Sequence, residues 1–371
     1  MISFGPTEEQ QVVREAMQEF AEQVLRPAAR EADEASRVPD ELLQQVWDLG
    51  LTSTQLPEAY GGGGEVRSPV TNVLVLEALA HGDVGLALAA VSPSLFAFPI
   101  ADFGTEEQKR RYLPLFCKER FHAASLAVVE PSAAFDVLAL RTSAEAKGDG
   151  FVLRGRKTFV PLGDRASHFL VLARNPARSA EGFGALDAFI VPRDAKGLRI
   201  SEPEKILGLR ALPTVGLELE AVEVPGDACL GGAEGIDAAR LIAGTRTAAA
   251  ALLVGLSRAV MDYAIPYAKD RVAFDEAIAR KQAIAFTLSD MHVETEAMRW
   301  LVWKAASHLE RGHDATREAA MAARYAGEQA MKIADNGVQV LGGHGFIREH
   351  PVEMWYRNAR TLSVLEGAAA V

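Results

Sequence analysis

Leu341 to Gly367 reads LGGHGFIREHPVEMWYRNARTLSVLEG, and the order of signals in this stretch decides how the chain folds. The paired glycines Gly342 and Gly343 let backbone approach a ligand with no side chain in the way. His350-Pro351 then starts a helix, because proline suits the first helical position. Val352, Trp355, Tyr356 and Ala359 give that helix an apolar face at alternating three- and four-residue spacing. Arg357 and Arg360 flank the face, and the run ends at Glu366-Gly367. Taken by itself, a Glu-Gly pair at a helix end is a surface carboxylate followed by a C-cap.

Working outward, helical periodicity fills the C-terminal third after Gly235. Ile284, Leu288, Met291, Met298, Val302 and Leu309 recur near the heptad spacing, with Gly312 as the stop. The next helix is alanine-rich at 319, 322, 323, 326 and 330, so a neighbouring helix can come close. Residues 232–371 are therefore expected to form a four-helix domain with surface left to pair subunits. Before it, residues 122–231 carry short β-rich runs at 151–153, 157–160, 169–173 and 188–191, separated by Gly, Asp, Asn and Pro. Val215, Leu217 and Leu219 alternate, then Val222 and Val224 alternate out of phase, which predicts a bulge between them. This middle unit is expected to be an antiparallel barrel or sandwich.

Residues 1–121 read as an all-α domain. Thr7 with Gln10 forms a capping box for a helix to about Ala32, and a second helix follows Pro39 and stops at Gly50. Gly61 to Gly64 reads as a connector. Apolar helices follow at 69–80 and 86–102, and Thr105 caps a further one with acids in its first turn. The fold class is thus α+β: helical domain, β-domain, four-helix domain.

The chain has 371 residues, 49% hydrophobic and 24% charged, enough to bury two or three cores. A net charge of -11 argues against nucleic acid and against anionic membrane surfaces. Cys117 and Cys229 give neither a disulfide framework nor metal spacing, which fits a reducing cytoplasm. Met1 leads into polar sequence, so no signal peptide is expected. The apolar run Ala248 to Leu256 is too short to span a bilayer and reads as a buried helix. His308 and His313 lack the glutamate of a zinc helix, and no metal is expected. No dinucleotide fingerprint, nucleophile elbow or P-loop appears.

The remaining motifs combine. Phe103-Gly104-Thr105-Glu106-Glu107-Gln108-Lys109 with Tyr112-Leu113-Pro114 precedes Glu130-Pro131 and Asp136. Then come Arg271 and Phe274, Gln282, Gly342-Gly343, Pro351-Val352-Glu353 and Glu366-Gly367. In order and spacing this set resembles the acyl-CoA dehydrogenase family of flavoproteins over nearly the whole chain. The resemblance implies FAD between the β-domain and the C-terminal domain, its adenine half reaching a second subunit of a homotetramer or homodimer. It implies that a glutamate takes the α-proton of an acyl-CoA or carrier-protein thioester while a hydride leaves the β-carbon for flavin N5. Electrons then pass to electron-transferring flavoprotein.

By motif match the base is Glu366, with Gly367 and Arg246 on the substrate side. The alternative family position for the base, just before Arg246, is Thr245, which cannot serve. A carboxylate in an apolar slot has a raised pKa, and the developing enolate oxygen needs donors aimed at it. Arg271 matches a pyrophosphate contact across the subunit boundary; Phe274, Gln282, Gln339, Gly342 and Gly343 match adenine-side contacts. Ala127, Val128, Val129, Phe159, Pro161, Ala368 and Ala370 fall at flavin-contact positions, and Phe135 at a position shared by cofactor and substrate.

Departures gather around the ring. Val129 lacks the family's hydroxyl, Phe135 replaces a serine, and Pro161 has neither hydroxyl nor N–H. After Gly367 come Ala368 to Val371 in place of the family's Thr and helix. Two readings follow: a catalytic FAD-dependent dehydrogenase, or a non-catalytic half-site subunit of a heteromer that lends its adenine-side surface to a relative.

Overall fold

The computed structural model describes residues 5–178 and 180–371. The N-terminal domain comprises α1 (Glu8–Phe20), α2 (Arg26–Ala35), α3 (Asp40–Asp48), α4 (Pro69–Gly82), α5 (Val84–Val91), α6 (Ser94–Phe103) and α7 (Glu106–Tyr112). α1 and α2 join through one wider turn, Ala21–Leu25, so the first predicted helix runs through unbroken. Both expected capping boxes are present, Thr7 with Gln10 and Thr105 with Gln108. The helix expected over 86–102 is instead two, α5 and α6. Pro93 accounts for the break, since it lacks a donor N–H. The glycine run is no loose connector. Gly63 N–H donates to Ser53 O at 2.9 Å and Gly64 N–H to Leu56 O at 2.9 Å. A Cβ on Gly62 would lie 2.1 Å from Leu56 O, so only glycine fits there.

The middle domain contains β1 (Ser125–Ala127), β2 (Ser143–Lys147), β3 (Gly150–Pro161), β4 (His168–Arg174), β5 (Leu186–Pro192), β6 (Leu198–Ile200) and β7 (Thr214–Pro225). The two predicted runs 151–153 and 157–160 are one long strand, β3, which pairs antiparallel with β7. Its register slips between Leu153 and Gly155, opposite Ala221, whose φ of 56° marks the bulge that the broken alternation predicts. Pairing is antiparallel for β2–β3, β4–β5 and β6–β7, whereas β1 lies parallel to β4.

The C-terminal domain is α8 (Ala238–Asp270), a small hairpin of β8 (Val272–Ala273) and β9 (Glu276–Ala277), α9 (Gln282–Glu310), α10 (Thr316–Leu341) and α11 (Val352–Leu362). The run Ala248–Leu256 is the middle of α8, which as a whole is long and apolar enough to cross a membrane. Here it is wrapped by α4, α9 and α10, and that run is buried. The N- and C-terminal domains are tied by Glu77 of α4, a buried carboxylate that takes Arg258 at 3.0 Å and Arg299 at 2.7 Å. Two guanidinium groups on one carboxylate offset the cost of taking its charge out of water.

Candidate active site

Glu366 follows the last turn of α11, where Leu365 N–H still bonds Leu362 O at 3.2 Å. Gly367 then turns the chain at φ 71°, and a Cβ there would meet Val128 Cγ2 at 2.6 Å. Glycine is needed twice over, for the left-handed backbone and for this close approach of the loop to the β-domain. The Glu366 side chain is 22% exposed, not out in bulk water. Arg246 Nε donates to Oε1 at 2.8 Å and to Oε2 at 3.2 Å. Burial raises the carboxyl pKa, the Arg246 charge and hydrogen bond pull it back, and Asp136 adds to the rise. The pair borders a cleft of about 290 Å³ between α8 and α10, lined by Ala249, Ala250, Ala320 and Ala323. Small side chains leave the room that longer ones would fill. Thr245 is buried, its hydroxyl bonded to Ile242 O at 3.0 Å, so no second base stands beside Arg246.

The β-domain presents a wall to the Glu366 loop, met where Gly367 approaches Val128. Ala127, Val128 and Val129 are buried at the end of β1, and Thr158 N–H donates to Val129 O at 2.9 Å. Phe159 sits at φ 53°, an uncommon conformation for an aromatic residue. It is held there by Glu204, which accepts from Phe159 N–H at 3.0 Å, from Thr214 Oγ1 at 2.9 Å and from the Thr158 hydroxyl. Pro161 is buried at the strand end. Phe135 and Ala370 both pack on the apolar cluster that contains Val128, Leu241 and Ile242, and Ala368 is buried nearby. Chain segments far apart in sequence thus bring Glu366, Gly367, Arg246 and Val128 together. Sequence reading missed Glu204 and Lys157, which brace this wall. The one signal was Lys157 itself, a charge at the start of the predicted strand 157–160.

The other predicted residues lie elsewhere. Arg271 caps α8, Phe274 is 87% exposed at the hairpin tip, Gln282 opens α9, and Gln339 is exposed in the last turn of α10. Tyr267 Oη reaches Leu341 O at 3.4 Å, joining the ends of α8 and α10, so these residues and Gly342-Gly343 share one end of the bundle. From Arg246 to Asp270 the helix rises about 36 Å at 1.5 Å per residue. Within one chain the two groups therefore lie toward opposite ends of α8.

Each half fits its part of FAD. Among the described residues Arg271 has no side-chain ion pair or hydrogen bond, and Cβ atoms added at Gly342 and Gly343 would meet nothing within 4 Å. That is a free guanidinium beside bare backbone, suited to phosphate. The Val129–Phe159 wall offers apolar surface, an aromatic ring and the Val129 N–H, suited to a flavin edge.

Comparison with known proteins gives one answer. Residues 7–120, 125–222 and 234–371 match the acyl-CoA dehydrogenase N-terminal, middle and C-terminal domains. The chain is 32% identical over 368 residues to a 3-(aryl)acrylate reductase of Clostridium sporogenes, covering 98% of this chain and 96% of that protein. It superposes on butyryl-CoA dehydrogenase from Megasphaera elsdenii with a TM-score of 0.87 and 30% identity, over 100% of this chain and 96% of that one. It also superposes on a chain from work on the electron transferring flavoprotein of Acidaminococcus fermentans, with a TM-score of 0.88 and 32% identity, over 100% and 96%.

Proposed function

The chain belongs to the acyl-CoA dehydrogenase family of FAD enzymes, and from that premise we propose that it removes hydrogen from Cα and Cβ of an acyl thioester with Glu366 as the base. Bound FAD would supply the acceptor for the hydride from Cβ, which carries both electrons of the oxidation. Carrying this reading is the placement of Glu366: a half-buried carboxylate with raised pKa, at a cleft between α8 and α10, on a loop whose next residue, Gly367, lies against Val128 of the wall that fits a flavin edge. Burial makes it a stronger base than a carboxylate in water, and proton abstraction next to a thioester needs that strength. Arg246 orients both oxygens and keeps the group ionised enough to accept a proton. The backbone N–H of Glu366 is the chain's donor for the developing enolate oxygen. Gly367 lets the loop lie against Val128, which excludes water from that side.

An acyl-CoA or a carrier-protein thioester is the substrate, and an electron-transferring flavoprotein takes the electrons, a partner suggested by the likeness to the Acidaminococcus fermentans chain. The active form is a homo-oligomer, because the phosphate-end residues of one copy lie too far from its own Glu366. The half-site reading keeps one observation in its favour: Pro161 offers no N–H where the wall meets the ring.

Glu366→Gln tests the base. The purified protein is expected to be yellow, and its flavin band to bleach with an acyl-CoA. In the variant the band persists and the rate of bleaching drops by about 10²–10⁴-fold, the usual share of a general base. Undiminished bleaching removes Glu366 from the chemistry. A colourless wild type that turns yellow only beside a related subunit selects the half-site reading.

A further inference from the structure

Lys157 is fully buried in β3, across from Leu217 of β7. Its ammonium donates to Val128 O at 2.9 Å and to Glu130 Oε1 at 3.3 Å. Glu130 in turn accepts Arg141 N–H at 2.9 Å and Thr142 N–H at 2.8 Å. With Thr158 N–H on Val129 O, three successive residues, 128 to 130, are each pinned by a polar contact. Burial lowers the lysine pKa to about 8 against the pull of Glu130, so the group is still charged at neutral pH. Burial also works to raise the Glu130 pKa, but Lys157 and the Thr142 and Arg141 bonds outweigh it, so it stays ionised. A buried ion pair is rarely the most stable way to fill a core; apolar residues of the same size do as well or better. Its cost points to a use at the wall it holds.

We propose that Lys157 is a positioning residue for the cofactor: through the Val128–Val129 peptide it aims and polarises the Val129 N–H as a donor to an electron-rich edge atom of the bound flavin. A trans peptide points its C=O and N–H in opposite directions. With Lys157 on the Val128 carbonyl, the Val129 N–H faces away from the ammonium. A charge on the carbonyl strengthens the N–H of the same peptide as a donor. Val129 has no hydroxyl, so this N–H is what the residue can give. Reduction adds negative charge to a flavin, and a polarised donor favours the reduced form. Lys157 therefore raises the potential, and the Glu130 carboxylate moderates the rise. This rests on the reading that FAD lies against Val129.

The test is the two-electron potential of the purified holoprotein, measured by dye equilibration. Lys157→Met should shift the ratio of affinities for reduced over oxidised flavin at least tenfold toward oxidised, a fall of about 30 mV for this couple. Glu130→Gln removes the counter-charge and with it the pull that helps keep the lysine protonated. It is therefore read at the acid end of the protein's stable pH range, where the ammonium is retained, and there it should move the potential up. Damage to the wall would move both variants the same way. The gap between wild type and Lys157→Met should close above pH about 8, as the wild-type ammonium loses its proton. If Lys157→Met fails to hold FAD, Glu130→Gln at that acid pH decides: an upward shift supports the role, and an unchanged or lower potential overturns it. A yellow Lys157→Met protein within threefold of the wild-type ratio overturns the inference alone. A wild type that binds no flavin overturns it together with the proposed function.

Discussion

At the scale of single residues, the proposed chemistry rests on the pair Arg246 and Glu366. Two forces act on the carboxylate in opposite directions: burial raises its pKa, and the guanidinium lowers it. Replacing Arg246 with Gln leaves burial unopposed. The carboxyl then stays protonated to higher pH, and the base form is lost there. The acid limb of kcat/KM is expected to move to higher pH in Arg246→Gln and less far in Arg246→Lys, read from a pH profile with one acyl-CoA. A limb that stays put would mean that the hydrogen bonds at 2.8 and 3.2 Å only orient the group. Glu366 was legible as a candidate from its motif. Its partner's role was not, because Arg246 is 120 residues away in the chain and nothing local announces the pairing.

α8 shows packing overruling propensity at the scale of an element. Gly255 lies in its middle, where alanine would be favoured by about 1 kcal/mol on propensity alone. A Cβ there would come within 2.2 Å of Glu77 O, on the backbone of α4. The two helices would have to separate, at about 1–3 kcal/mol for such overpacking, and the Glu77–Arg258–Arg299 cluster would shift with them. Gly255→Ala should therefore lower the urea midpoint, and a rise in the midpoint would show that α4 can yield at no cost. The same contrast explains the expectations that failed. The glycine run at 61–64 and the proline break between α5 and α6 depend on what lies against them or on a missing donor, which composition alone does not weigh.

The division of the candidate cofactor residues between two ends is a property of the whole molecule. One chain holds Glu366 near the start of α8 and Arg271 at its far end, about 36 Å of helix away. Phe274, Gly342 and Gly343 stay solvent-exposed there, where a second copy can use them. Mixing two defective chains tests this. Glu366→Gln alone lacks the base, and Arg271→Ala alone should bind FAD weakly. In a mixed oligomer one site pairs the intact Glu366 of one copy with the intact Arg271 of the other. Acyl-CoA-dependent bleaching should return on co-expression. If both residues served the same site from one chain, no mixture would recover activity.

Periodicity, capping boxes and turn residues are local, so the sequence by itself determined the succession of helices, strands and helices, the bulge in β7 and the ordered motifs that mark the family. Those signals act between residues a few positions apart, where the chain's own geometry enforces them. Tertiary structure alone decided which charges meet: Arg246 on Glu366, Glu204 on the Phe159 backbone, Lys157 on Val128. Each of these contacts joins residues that only packing brings within hydrogen-bond range, and their strength comes from burial, which exists once the domains have closed on one another.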